Sequence, residues 1–483
     1  EGTTASPTPE PTSSPSPTPD PDPDADPAVT LTLTDLAPAV AQAQDTLVLT
    51  GTITNTTDAP FVNPTLRIGK QQSVPNSRLA LDRWFDPATG PGARTMVTST
   101  YEVSVAPGET VPFSTSVAVA DLAFPIRTDN WGARGLEVSL TGGGETAIAR
   151  TVGVFHPDEP VVEPSPQISA VLPLTASASE WTSAIESGVP VEEVAGPRIH
   201  ELVDATGSAV SWALDPALID VESAEADTLQ EHLTSAAGDR DIIALPWADA
   251  DVSALGGAGE EGTTLLTDAR RASNEAFASV GLQVSTTTAW PAAPGTSQES
   301  VRIADRAGYT SLVLDGVAAP DPDLTATASA RVNVSGTAAG MPAAVSESYL
   351  TSAVAGVAPA GSGSMSTQLA SRQYALALSA VITRESNAPR TLVVTADRAL
   401  VGALGTGEGE SVSDFGDRLS ALLAAPWVTP IGVDDVLLQE PTDALRDSLP
   451  LRLDVTSPTF TRALTSASEG IAQVAQLRSA LEH

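Results

Sequence analysis

Cysteine is absent from the 483 residues, and other scarcities set further bounds. Without a thiol there is no disulfide, thiol nucleophile, iron–sulfur cluster or thiolate zinc site. Histidine occurs four times, at His156, His200, His232 and His483, so a histidine-rich metal centre has little to draw on. Lysine occurs once, at Lys70, and the other 23 of the 24 basic residues are arginine. Aromatic residues make up only 4%. No apolar run reaches the roughly 20 residues that a membrane-spanning helix needs. Against the 24 basic residues stand 60 acidic ones, giving a formal charge of −36. That balance excludes a generic electrostatic footprint for nucleic acid and repels an anionic bilayer.

What is present is an apolar fraction of 41%, enough for folded cores in two or three domains. The ends differ from the rest. Residues 1–27 hold nine prolines among Ser, Thr, Asp and Glu, with no apolar period. This composition predicts an extended, disordered spacer over 1–28. A spacer of this kind, in a chain without an initiator Met, suggests a secretory signal peptide removed upstream. Leu481, Glu482 and His483 read as a tag remnant, 481–483. The expected natural chain continues beyond Ala480, with any membrane anchor in that further part.

Residues 29–157 read as an immunoglobulin-like β-sandwich. Leu47, Leu49 and Ile53 share one face by period two, and Asp58 to Pro60 end a turn. Further strands are predicted near 64–68, 95–105, 110–119, 135–140 and 147–154. The module reads as a spacer or as a partner- or glycan-binding unit. Arg78, Arg83, Trp84 and Phe85 form a candidate contact patch in its long insert.

Residues 158–166 form a Pro-rich linker, and over 167–455 strands and amphipathic helices alternate. Strands are predicted at 167–174, 209–214, 241–246, 283–289, 309–314, 330–334, 342–345 and 391–395. Helices are predicted near 179–187, 197–205, 227–237, 265–280, 298–307, 366–384 and 411–424. Repeated βα units imply a parallel sheet covered by helices, and the count fits a (β/α) barrel of seven or eight strands. Gly256 to Gly259 read as a surface loop, and no dinucleotide fingerprint or P-loop occurs. Residues 456–480 read as a last barrel helix or the start of a further region.

In such barrels the ligand meets the C-terminal strand ends. Those ends supply Asp215, Trp247, Asp249, Asp251, Trp290, Asp315, Glu347, Asp397 and Arg398. Carboxylates beside tryptophan suit a sugar: acids bond hydroxyls or act as acid, base or nucleophile, and indole faces stack on sugar rings. The same acids are also ordinary helix caps; Asp215 before Pro216 fits a cap with proline at the first helical position. Trp290 and Trp427 equally suit a core. His200 and His232 fall within predicted helices, away from the strand ends. No metal and no cofactor are therefore expected, although an all-carboxylate Ca²⁺ or Mg²⁺ site at Asp249 and Asp251 is a weaker alternative.

Several strings together resemble a known family: Thr50 to Asn55, Ser77 with Arg78, Pro107 with Gly108, Leu172 to Leu174, Trp212 to Asp220, Leu245 to Val252, Trp290 with Pro291, Leu312 to Asp315, and Ala425 to Trp427. They resemble a domain-of-unknown-function family of large actinobacterial envelope proteins, over about residues 28–480. The resemblance implies a signal peptide, sandwich, barrel, further sandwich and a C-terminal transmembrane helix, encoded beside the lipid II flippase MurJ. The barrel is also distantly similar to polysaccharide deacetylases and glycoside hydrolases, but the deacetylase metal pair of histidines is missing. The expectation is an extracytoplasmic, non-catalytic module. It would bind an envelope glycan, a lipid-linked peptidoglycan precursor or the flippase. The alternative is a metal-independent glycoside hydrolase using Asp215 with Asp249 or Asp251. An open pair of carboxylates would favour hydrolysis; carboxylates engaged in caps would favour binding or scaffolding.

Overall fold

The structure, a computed structural model, describes residues 28–86, 90–125, 130–157, 165–219, 224–292, 295–321, 326–385, 388–406 and 409–442, with scattered positions from 446 to 473. The Pro-rich start and most of both the 158–166 linker and the 456–480 segment lie outside the described residues.

Alternation of apolar and polar residues builds the first region. Its strands are β1 (Val29–Ala37), β2 (Val40–Ala41), β3 (Thr46–Asn55), β4 (Phe61–Val62), β5 (Thr65–Gln71), β6 (Ala93–Thr100), β7 (Ser104–Val105), β8 (Thr110–Ala118), β9 (Gly132–Gly142) and β10 (Glu145–Phe155). Leu47, Leu49 and Ile53 of β3 point inward as their period requires, each at most 3% exposed. Gly51 sits between them where β1 crosses closely: a Cβ there would lie 2.1 Å from the Thr32 carbonyl oxygen. One sheet has the order β1-β3-β8, the other β2-β10-β9-β5-β6, and β4 pairs with β7. All these pairings are antiparallel except β2 with β10.

The insert between β5 and β6 is a helix, α1 (Arg78–Phe85), started by the Ser77 side chain accepting from the Ala80 N–H at 3.2 Å. The expected contact patch is corrected here. Trp84 and Phe85 are buried at 0% and 1% exposure, because the apolar stripe of α1 turns into the core. Trp84 Nε1 donates to the Thr151 carbonyl at 2.8 Å. Arg78 is buried as well, and only Arg83 of the four is exposed.

The second region alternates strands and helices: β11 (Gln167–Leu174), α2 (Ala178–Ser187), α3 (Val191–Ala205), β12 (Val210–Leu214), α4 (Ala224–Ala237), β13 (Ile242–Ala244), α5 (Val252–Gly256) and α6 (Gly259–Val280). It continues with β14 (Thr288–Ala289), α7 (Gln298–Arg306), β15 (Ser311–Leu314), β16 (Arg331–Val334), β17 (Met341–Val345), α8 (Ser348–Val354) and α9 (Thr367–Glu385). It ends with β18 (Thr391–Thr395), α10 (Arg398–Ala403), α11 (Val412–Leu423), β19 (Thr429–Pro430) and α12 (Val433–Leu438). Strands β13-β12-β11-β18 form one parallel sheet, with β19 beside the start of β11. Strands β14-β15-β17 form a second, to which β16 adds antiparallel.

The sheets curl toward each other like a half-barrel. At one end the Ser285 N–H donates to the Ile242 carbonyl at 2.7 Å. At the other the Glu347 N–H donates to the Val393 carbonyl at 2.8 Å. Val171, Ala213, Ile243, Val313, Ala344 and Val393, one from each of six parallel strands, meet in a common apolar cluster. Near-continuous apolar strands are what burial on both faces demands.

Three sequence expectations shift. The strand expected over 283–289 shrinks to β14 plus the Ser285 bridge. The segment 330–334 runs antiparallel to its neighbour. Gly256 and Gly259 are not loop residues: they end α5 and open α6. A Cβ on Gly256 would lie 3.0 Å from the Ser300 backbone, so the small residue lets α5 approach α7 closely.

The two regions share one core. Helix α9 carries buried residues on most of its surface and packs against β1, β9 and β10 as well as α8 and α11. The Leu33 N–H donates to the Ser364 carbonyl at 2.9 Å, and the Ser366 N–H to the Leu33 carbonyl at 2.7 Å. The Trp131 and Trp427 rings meet across the boundary at 5.3 Å. Trp427 is 0% exposed, a core residue.

Candidate functional site

The C-terminal ends of the parallel strands bring most of the expected residues together. Asp215 follows β12 and is 0% exposed. Its Oδ1 accepts from the Ala217 N–H at 3.0 Å and the Ala248 N–H at 2.9 Å. It therefore caps the turn opened by Pro216, as the sequence allowed. Its Oδ2 is buried without a hydrogen-bond partner. Burial pushes its pKa up to about 7, helped by the Asp249 carboxylate and opposed by the N–H donors.

The turn after β13 carries Trp247, Ala248 and Asp249. Ala248 and Asp249 adopt positive φ values of 58° and 47°, a left-handed conformation that costs a non-glycine residue about 1–2 kcal/mol. This turn delivers the Ala248 N–H to Asp215 and aims Asp249 at Arg398. Arg398 holds Asp249 through two bonds, Nε to Oδ2 and Nη2 to Oδ1 at 2.9 Å. It also donates to the Trp290 carbonyl at 3.0 Å, and its guanidinium stands 4.9 Å from the Trp290 ring centre. Burial would lower the Arg398 pKa, but Asp249, Asp315 and Asp251 together hold it above the ordinary value.

Asp315 ends β15 and accepts from the Thr395 hydroxyl at 2.9 Å. Burial pushes its pKa up, while Thr395 and Arg398 pull it down. Asp251 caps α5, accepting from the Ser253 N–H at 2.8 Å. Asp397 caps α10, accepting from the Ala399 N–H at 2.6 Å. Trp290 is a wall of the core at 2% exposure, whereas Trp247 is 37% exposed.

Glu347 is diverted from this group. It caps α8 through the Leu350 N–H at 2.6 Å and faces Arg78 of α1, with Nη1 to Oε1 at 3.2 Å. Burial pushes its pKa up, against the Leu350 N–H and Arg78.

Sequence reasoning missed Trp181. It lies in the first turns of α2, where the Ser177–Glu180 capping box fixes the helix start, and its ring stands 6.5 Å from that of Trp247. Its signal was an aromatic residue just after a capping box, on a helix and not at a strand end. His200 on α3 and His232 on α4 stack at 4.4 Å, remote from the strand-end cluster in sequence. Among the described residues, no three His, Asp or Glu side chains converge as metal ligands.

No curated protein matches this chain. Among solved structures, a β-glucosidase from Listeria innocua in complex with isofagomine is 12% identical over 28% of this chain and 16% of that one, with a TM-score of 0.19. The sporulation control protein Spo0M from Bacillus subtilis is 14% identical over 27% of this chain and 49% of that one, with a TM-score of 0.20. The alkylpurine DNA glycosylase AlkC from Pseudomonas fluorescens is 14% identical over 27% of this chain and 31% of that one, with a TM-score of 0.18. Likeness at this level carries no argument about fold or site. A family model does cover the sequence, matching residues 2–482, and the chain belongs to that family of unknown function, DUF6049.

Proposed function

We propose that this chain is a non-catalytic binding module of the cell envelope, outside the cytoplasmic membrane. In this reading it recognises an envelope glycan or lipid-linked peptidoglycan precursor, in association with the lipid II flippase. One observation carries the binding part. Asp215, Asp251 and Asp397 are engaged in caps, and Asp249 is engaged by Arg398. Hydrolysis needs two carboxyls facing an open cleft, one as acid and the other as base or nucleophile. The half-exposed Trp247 with Trp181 beside it offers instead an aromatic platform at the rim. The envelope address rests on the family resemblance. We read the antiparallel sheets as an immunoglobulin-like sandwich, and the curled parallel sheets as a degenerate (β/α) barrel.

Calorimetric titration with soluble peptidoglycan fragments and chitin oligomers tests this reading. Saturable binding, weakened at least tenfold by Trp247→Ala, is expected. Absence of binding to every fragment overturns it. Recovery of the flippase from membranes by the immobilised chain tests the partner separately.

One feature supports the second reading, a glycoside hydrolase. Asp215 combines a pKa near 7 with an unpartnered Oδ2, the state of a general acid. Under that reading glycan turnover is measurable and Asp215→Asn abolishes it.

A further inference from the structure

A second open region lies away from the C-terminal ends of the parallel strands. A cavity of about 640 Å³ lies between the two regions, walled by α1 on one side and by α8, the 357–361 turn and α9 on the other. That volume suits a small molecule or a single side chain.

Its walls are fixed by contacts on both sides of the boundary. The Tyr374 hydroxyl of α9 donates to Asp82 Oδ1 of α1 at 2.6 Å. Burial first, and then the Asp82 carboxylate, push the Tyr374 pKa far above its ordinary value, so the phenol stays a donor. The edge of Phe85 against the Tyr374 ring, at 6.3 Å, sets its orientation. Tyr349 is 45% exposed and has the Arg78 guanidinium 5.1 Å from its ring centre. Arg78 is itself anchored by Glu347. Both rings are thus held in place before anything binds.

The chemistry of the lining is uneven. Asp82 of α1 and Asp86, the residue that caps its end, line one wall, with Arg83 exposed as the one cation among the lining residues. Most of the remaining lining comes from Tyr349, Tyr374 and the small apolar side chains of Val357 to Ala360, with Ser352, Ala353 and Gly361 beside them. An aromatic and aliphatic wall receives a hydrocarbon stem, and aromatic faces with carboxylates receive a cation.

We propose that this cleft binds a primary ammonium group carried on an apolar stem, from either a free amine or a lysine side chain. It requires both regions, because Asp82 and Asp86 come from α1 and its C-terminal cap, and the Tyr349 and Val357 surfaces from the α/β part.

The test is titration of the full chain with phenethylammonium, 2-phenylethanol and 3-phenylpropanoate, together with a blocked lysine tetrapeptide and its norleucine counterpart. The ammonium and lysine probes should bind at least tenfold more tightly than their uncharged or anionic analogues. Tighter binding of the lysine peptide assigns a protein ligand; tighter binding of phenethylammonium assigns a small amine. Asp82→Asn with Asp86→Asn should weaken binding at least tenfold. Ala360→Trp, at an exposed position, fills the cavity and should abolish binding with an unchanged unfolding midpoint. Equal binding of alcohol and ammonium, binding that survives Ala360→Trp, or no binding of either ammonium probe overturns the proposal.

Discussion

The mouth of the curled sheets, where the C-terminal ends of the parallel strands meet, and the cleft beside the antiparallel sheets are both acidic, and they hold their acids differently. At the mouth, Asp215, Asp251 and Asp397 accept backbone N–H groups and Asp249 is clamped by Arg398. At the cleft, Asp82 accepts a neutral tyrosine hydroxyl at the edge of an open cavity. The mouth's acids mainly satisfy the protein's own donors, each such cap being worth about 1 kcal/mol. Asp82 stands beside space that a ligand can enter. An acidic residue at a strand end therefore reports a turn before it reports chemistry.

The contrast can be broken at its strongest point first. Arg398→Met leaves Asp249 partly buried without its cation, beside Asp215. Urea unfolding should show a loss of about 3 kcal/mol, the range for removing one partner of a buried pair. A loss below about 0.5 kcal/mol, as at an ordinary surface site, would mean that the clamp does not hold the mouth together. Arg78→Met tests the other side. It removes the partner of Glu347, and both side chains are under 10% exposed. The expected loss is about 2 kcal/mol, below the full range because the Leu350 N–H still serves Glu347. The smallest effect is Ser177→Ala, which removes one half of the capping box of α2. About 1 kcal/mol is expected. Glycan binding should fall slightly if Trp181 belongs to the platform, because that first turn positions its ring.

Much of this architecture is legible in the sequence, where local pattern and tertiary outcome agree. Leu47, Leu49 and Ile53 face inward as their period requires. The strands ending at Asp215, Asp315 and Asp397 lie where apolar runs stop. Asp215 caps its turn because Pro216 follows it. What escapes the sequence depends on distant partners. Nothing near Arg78 announces Glu347, 269 positions away. Trp84 looks exposed in an insert until α1 forms and rotates it under Thr151. Gly256 and Gly259 read as a loop because the sequence does not reveal that α5, α6 and α7 crowd there. The division of acids between caps and open space is likewise a property of geometry, since Asp249 and Asp251 look alike along the chain.

The central claim is that the carboxylates at the mouth serve the fold and a bound ligand, and catalyse nothing. Asp215→Asn tests it most directly, by unfolding at pH 5 and pH 8 with product analysis on peptidoglycan fragments in parallel. Asn keeps the acceptor for the Ala217 and Ala248 N–H groups. The wild-type carboxyl titrates near 7 when folded and near 3.8 in the unfolded chain. Its contribution is therefore complete below about 3.8 and is lost as the pH rises toward 7. The account predicts that the variant gains about 2–3 kcal/mol relative to wild type between pH 5 and pH 8, with fragment binding retained and no product from either protein. Product formed by the wild type and absent from Asp215→Asn would contradict it.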